Sequence, residues 1–567
     1  MPVATQLRIK YSDLFDDNPL PFADYFIGAS KENLFASIPL LVNLASPGGE
    51  KSAAELVNEW FSLANQTIKQ NILGKLNQGN SIASIISSLK LAEYITDNQF
   101  ATTQTISDAE FELNLFKAYL VLNEEQDDLE STNLPKLPQG GGDESFMAWM
   151  LMYSYHNYDL SNYQIWDIIA PQVVKSITFF QYLNNRPKLQ PHLAYFLNMF
   201  GVADWQAWVK QYLAVVFPAL QSKNISYFDF NVTQDADYNS NCHFLDNLCV
   251  GANTHRLSDF ITLRSFPLMK IFAGRYRVIN KLFLMEKMFK SLQFLFSINI
   301  NNALPAQQQL ADFRADHCDK FSEQTILYDV LKKSFPKKWT HISGEGFKEK
   351  GYSAEPDYYI RFKNKLFLFE SKDVVLTGAE KQSRDYPILK KALKKKFYKI
   401  EHNGNIQKKA ILQIIGNIKR ILDHYYTQCD IGYNGDAIKI YPILVTHDRQ
   451  FDSPGVNKLL LHWFNEELDN IKGTHNISNI KPLTVVNIDT FILHQEAFKS
   501  RGKVRFEDLI VAYHEAMSII QPKKAGSQLK AVQRAHLSFN HFVESYFDKY
   551  KLRKKPTFLR EYFEELF

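Results

Sequence analysis

Apolar residues recur every three or four positions through much of residues 33–122, as in AAELVNEWFSLANQTIKQNIL and FELNLFKAYLVL, and that period predicts amphipathic helices. Ser107-Asp108 ahead of AEFELNLF supplies a helix start. The pattern stops at the acidic NEEQDDLE and at STNLPKLPQGGGDES, whose prolines and consecutive glycines mark a linker over 131–145. Aromatic-rich helical periodicity returns over 146–310, for example in SFMAWMLMYSYHNY, with no fixed-period repeat. After NNALPAQQQ, helical and strand-like stretches alternate. A helix near 321–334 and a strand near 339–347 lead to DYYIRF and LFLFESKDVV, both rich in aromatic and β-branched residues. A lysine-rich helical region over 387–426, the strand AIKIYPILVTHD, the helix VNKLLLHWFNEEL, the strand KPLTVVNIDTFIL and further helices complete the chain. This order predicts an α+β or α/β multidomain protein: a helical domain over 1–130, the linker, a helical aromatic-rich region over 146–310, an α/β domain with a mixed central sheet over 311–500, and a basic helical segment over 501–567.

Composition sharpens the division. A chain of 567 residues is too long for one hydrophobic core. Its net charge of +4 hides an asymmetry: residues 311–567 hold 43 Lys+Arg against 32 Asp+Glu, so residues 1–310 are net acidic. Between 381 and 420, 12 Lys+Arg face two acids. Within it Lys390, Lys391, Lys394, Lys395, Lys396, Lys399, Lys408 and Lys409 form a candidate phosphate-binding surface, the plain alternative being the solvated face of a helix. Phe397 and Tyr398 in the same run either stack on bases or pack. Four cysteines do not make a disulfide framework, the start MPVATQLRIK lacks the apolar core of a secretory signal, and no apolar run approaches about 20 residues. The expectation is a cytoplasmic protein with no membrane partner. Cys242, His243, Cys249 and His255 lack the Cys-x-x-Cys pairing of many zinc sites and are read as packing residues. His447-Asp448, ending a strand, is read as structural. There is no phosphate-binding loop of the G-x-x-x-x-G-K-[ST] type, no G-x-S-x-G and no H-E-x-x-H.

The stretch AEPDYYIRFKNKLFLFESKDVVL, residues 354–376, carries the chemistry. A two-residue turn at Lys363-Asn364 pairs Phe362 with Lys365, and the same register sets Asp357 opposite Glu370. Opposed residues have Cβ atoms roughly 5 Å apart, so the two carboxylates can share one divalent ion. Lys363 is the weak point, having no preference for the positive φ such turns use. Side chains alternate along a strand, which puts Lys372 on the face of Glu370. Two adjacent carboxylates raise each other's pKa unless a cation neutralises them, and a hard ion, Mg²⁺ or Mn²⁺, is the natural occupant. Lys372 would then orient or activate a water or stabilise an anionic transition state. The plain alternative is a solvated hairpin with a surface Glu370–Lys372 ion pair. Against it, Glu370 follows LFLF, apolar on both faces as in a central strand covered on both sides.

Pro356-Asp357, followed by Glu370-Ser371-Lys372 on the next strand, resembles the signature of the PD-(D/E)XK nuclease superfamily, the restriction-endonuclease-like fold. The resemblance covers roughly residues 320–450. It implies that Asp357 and Glu370 are metal ligands, that Lys372 is the catalytic lysine and that the Ser371 carbonyl helps hold the ion. It also implies a catalytic role for Glu323, on the helix before the first core strand, and for Gln407 or Gln413, on the helix after the Lys-bearing strand. The function so implied is a Mg²⁺-dependent nuclease acting on nucleic acid, with DNA favoured, and by analogy a role in bacterial genome or anti-phage defence. The helical half is then a sensor, a regulator or a platform for a homo-oligomer or regulatory protein partner. Two other readings stand beside it: a non-cleaving nucleic-acid-binding module with a nuclease-like fold, and a helical interaction protein with a structural α/β domain.

Overall fold

The computed structural model describes residues 7–47, 51–140, 142–222, 227–251, 258–435, 437–500, 502, 504–518, 525–553 and 556–566. About 60% of the chain is helical, and the protein is of mixed α/β class with a mixed five-stranded sheet. It divides into two compact units, one comprising Lys136–Asp159 with Ala311–Glu565 and the other Val3–Pro135 with Leu160–Leu310. Among the described residues no helix is long and apolar enough to cross a membrane.

The second unit is mainly helical. Its longer helices include Lys31–Leu44, Asp108–Asn133, Ile165–Asn184 and Trp205–Gln221. Ser107 caps the second of these, its side chain accepting the Glu110 N–H. Phe180, Phe196 and Trp208 pack ring against ring, with centroids 5.5 and 5.3 Å apart. A three-stranded antiparallel sheet, Asp229–Asn231, Leu268–Phe272 and Arg275–Val278, stands where helix was expected. Gly274, at φ +77°, makes the tight turn between its last two strands. The Nε2 of His243 hydrogen-bonds the Met199 carbonyl at 3.1 Å, and His255 lies outside the described residues.

The α/β unit is built on strands β1 (Thr340–Ser343), β2 (Tyr358–Phe362), β3 (Lys365–Lys372), β6 (Lys439–Thr446) and β7 (Thr484–Asn487), hydrogen-bonded in that order. Two further strands, β4 (Lys399–His402) and β5 (Asn405–Lys408), pair apart from them. In the main sheet β2 runs antiparallel to β1 and β3, while β3, β6 and β7 run parallel. The β2–β3 register is the one the turn implies: Phe362 faces Lys365 and Tyr358 faces Phe369. Lys363 takes φ +54° to make the turn, so this lysine accepts the left-handed conformation it does not favour.

Alternation along β3 sorts the core into two layers. Leu366 and Leu368 face a cluster with α1 (Asp143–Ser154), α2 (Tyr386–Phe397), α3 (Ala410–Leu422) and α4 (Val456–Ile471). Phe367 and Phe369 face Phe335, Phe491 and Phe506, with ring centroids 5.6–6.1 Å apart along that layer. All four β3 side chains are at most 1% exposed, each worth about 1.5–3 kcal/mol in burial.

Three expectations change. Residues 146–159 do not go with the helical region: Met147, Ala148 and Leu151 of α1, with Tyr155 just after it, complete the α/β core. The described residues between 504 and 565 likewise belong to the α/β unit, since Phe506 packs on Phe335 and Phe367. The region 387–426 is not one helix, because Asn403 and Gly404, at φ +50° and +78°, turn β4 back into β5 between α2 and α3.

The positive φ at Lys363 predicts that Lys363→Asn raises the stability of the full chain by roughly 0.5–1 kcal/mol, since asparagine enters that conformation more readily. A urea midpoint left unchanged or lowered would contradict it.

Candidate functional site

The site forms where β3 ends between its two layers. Asp357, one residue before β2, closes the ladder: its carbonyl accepts the Gly344 N–H at 2.9 Å, and its Oδ2 accepts the Ser371 N–H at 2.6 Å. Glu370 follows four buried apolar residues and is 1% exposed. Its Oε1 accepts the Lys372 Nζ at 2.6 Å, the two side chains sharing a face two residues apart. The pair therefore joins a buried carboxylate to a half-buried ammonium rather than two solvated surface groups.

Glu323 arrives from the other layer. Residues 313–334 form one helical run whose middle, His317–Leu327, is π-helical. The Tyr328 N–H donates to the Glu323 carbonyl and the Tyr328 hydroxyl donates to Glu323 Oε1 at 3.0 Å, both five residues apart. Glu323 is thus inside the run and half-buried, not at an exposed helix start. Asp373, directly after Lys372, holds this run in place. Arg314 donates to its Oδ1 at 2.6 Å and to its carbonyl at 2.9 Å, and Ser322 donates to its Oδ2 at 2.6 Å. Ser371, which alternates away from Glu370 and Lys372, meets His447 Nε2 at 2.8 Å through its hydroxyl, just past the end of β6.

Charge is unbalanced here, with one lysine among three carboxylates. Burial pushes Glu370 up to about 8, the Asp357 carboxylate adds to it and Lys372 opposes it. Burial and then Asp357 push Glu323 up to about 8 as well. Asp357 is raised chiefly by burial, against the opposing charge of Lys372. For Lys372 burial disfavours the charge, but Glu370 and Asp357 outweigh it and hold the ammonium firmly protonated. Asp373 behaves oppositely: burial would raise it, yet Arg314 above all keeps it well below the usual carboxylate range.

The donor set suits a hard cation. Among the described residues no group of three or more His, Cys, Asp and Glu side chains is close enough to hold an ion. Asp357 and Glu370 offer a pair of oxygen donors, and Mg²⁺ commonly takes one or two carboxylates while keeping several waters. Ser371 sits between them with its N–H given to Asp357.

The other expected residues divide. Gln407 is not on a helix: it lies on exposed β5, opposite Ile400, and is not brought to the site. Gln413 is on α3, one turn beyond Lys409, with its side chain exposed. Lys391, Lys395 and Lys408 are exposed, and Lys390, Lys394, Lys396, Lys399 and Lys409 partly so. Lys390 pairs with Glu144 at 3.4 Å and Lys399 with Glu401 at 2.9 Å. Phe397 and Tyr398 pack, on Phe451 and Trp463 respectively, and present no face for base stacking. Sequence reasoning missed Arg314, Ser322 and Asp373 and gave His447 only a structural part. Asp373 was visible beside Lys372, but nothing local marks Arg314 as its partner.

Comparison with family models, curated proteins and solved structures returns no match.

Two outcomes follow from this charge balance. A carboxyl raised in the folded state binds its proton more tightly there than when unfolded. Its contribution is therefore present at low pH and lost as pH climbs from the ordinary 4.5 to about 8. Thermal melts in metal-free buffer should show stability falling over that window, with Glu370→Gln flattening the fall; a profile unchanged by the substitution would contradict the assignment. Arg314→Ala leaves the buried Asp373 carboxylate uncompensated and should cost about 3–5 kcal/mol by chemical denaturation.

Proposed function

We propose that this protein is a divalent-metal-dependent nuclease of the PD-(D/E)XK type, with the α/β unit as a restriction-endonuclease-like cutting domain. The observation that carries the reading is the β2–β3 register, which sets Asp357 beside the strand end that bears Glu370, Ser371 and Lys372. The sheet supports it too, its five strands in sequential order with the second antiparallel to its neighbours and a helix preceding the first.

Asp357 and Glu370, with the Ser371 carbonyl, would hold Mg²⁺ or Mn²⁺. The bound ion would polarise a phosphodiester and lower the pKa of a coordinated water. Lys372 stays an ammonium in this setting, so its part is to donate: it orients the nucleophilic water and offsets charge on the pentavalent phosphorane-like transition state. Glu323, with a proton affinity near the working pH, is suited to accept the proton the water gives up. The Arg314–Asp373–Ser322 contacts keep Glu323 and Lys372 in fixed relation.

The test is Mg²⁺- or Mn²⁺-dependent cleavage of duplex DNA, single-stranded DNA and RNA by the wild type, Lys372→Ala and Asp357→Ala. Each substitution should lower the cleavage rate by at least about 10²-fold. Equal cutting by all three proteins would overturn the site assignment.

A further inference from the structure

We propose that the β4–β5 hairpin is a groove-reading ribbon that enters the major groove of a B-form DNA duplex, with His402, Asn405 and Gln407 as the side chains that meet base edges. The proposal rests on the nuclease reading above and names its substrate class.

The hairpin is short, regular and unsupported at its end. Residues 401–408 are all exposed, including Ile406 at 55%. Beyond its half-buried base at Lys399 and Ile400 the ribbon is exposed on both faces, which is marginal in water, and Asn403-Gly404 fixes its turn and register instead of a core. Register sorts its side chains into two faces. His402 opposes Asn405 and Ile400 opposes Gln407 on one; Glu401 opposes Ile406 and Lys399 opposes Lys408 on the other. The first face carries amide and imidazole groups, which make paired hydrogen bonds to base edges, whereas a purely phosphate-binding surface needs only cations. The second brings two lysines to the base of the ribbon.

Placement fits the same occupant. The major groove admits a two-stranded ribbon, while the deep, narrow major groove of A-form RNA does not. The ribbon emerges between α2, whose Lys391 and Lys395 are exposed, and α3, which packs on β3. Lys409, the residue after β5, is the N-cap position of α3. Burial lowers its pKa, and the charge of Lys372 lowers it further, so the root of the ribbon stands within electrostatic reach of the catalytic lysine. A duplex held by the lysines of α2 would present its groove to the ribbon and its backbone to the end of β3.

The experiment measures binding of the full chain in metal-free buffer by fluorescence anisotropy, using a labelled mixed-sequence DNA duplex, one of its strands, and the RNA duplex of the same sequence. The triple variant His402→Ala, Asn405→Ala and Gln407→Ala keeps the Asn403-Gly404 turn and alters only exposed side chains. It should lose at least about tenfold in affinity for the DNA duplex and less than about twofold for the other two probes. A double Lys391→Ala, Lys395→Ala variant should instead weaken all three and reduce the log–log salt slope by roughly two. Unchanged duplex binding by the triple variant, or equal losses on all probes, would overturn the ribbon. Cleavage is scored separately. A wild type that binds duplex through the ribbon but cuts nothing with Mg²⁺ refutes the nuclease reading alone; a triple variant that binds and cuts duplex as the wild type does refutes the ribbon alone.

Discussion

The pairing of β2 with β3 is the constraint on which the candidate site depends. A slip of one residue would turn every β3 side chain to the opposite layer, sending Glu370 and Lys372 to the side on which Phe367 and Phe369 now pack. The two layers resist that exchange because they differ in kind. One is lined by the aliphatic side chains of α3 and α4, and the other by the rings of Phe335, Phe491 and Phe506. Trp339 stacked on Phe362 and Phe367 on Tyr441 fix the register again from the neighbouring strands. The core thus sets the position of a carboxylate it does not itself contain: once Tyr358 faces Phe369, Asp357 has the Ser371 N–H within reach.

The cost of this placement explains the surroundings of the site. Burying Glu370 and Glu323 near Asp357 is unfavourable while all three are charged, and Lys372 offsets only one of them. Protons or a cation must make up the difference. Asp373 shows how the fold treats a carboxylate whose role is purely to hold: Arg314 and Ser322 fully engage it, and its proton affinity drops. Neighbouring acids at the end of one strand are therefore driven in opposite directions, Glu370 toward binding a positive species and Asp373 toward permanent charge. That divergence is characteristic of sites where environment assigns separate roles to like groups.

What could be read from the sequence followed the range of the interactions. The β2–β3 register came from local turn geometry and alternation, and these decided it even though Lys363 is a poor turn residue. Glu323 entered through the resemblance, by its place on the helix before the first core strand, and its π-helical setting was not legible because the i to i+5 pattern has no distinct apolar period. The β4–β5 hairpin was missed although Asn403-Gly404 is a strong turn signal, since the flanking lysines matched a helical charge pattern. That error carried Gln407 onto a helix. The assignment of 146–159 failed for a different reason: which core an apolar helix joins is a long-range question, and the stripe of Met147, Leu151 and Tyr155 would have suited either. Arg314 and Asp373, 59 residues apart, belong to the same class.

The opposed charges of the site and its flank have a consequence for how binding and chemistry divide. An uncompensated carboxylate cluster repels a phosphodiester at short range, whereas the lysines of α2 and the base of the ribbon attract one over about a Debye length. On the nuclease reading these two fields do not cancel, because Glu370 is buried and Asp357 and Glu323 half-buried, while Lys391 and Lys395 face solvent. On that reading the lysines would govern capture of the polyanion and its salt dependence, with or without a metal. The carboxylates would govern only whether a captured phosphate can approach the end of β3, and that would change sign on neutralisation by a divalent cation. The proposed nuclease would then hold nucleic acid in an uncut state and commit to cutting through the occupancy of one ion.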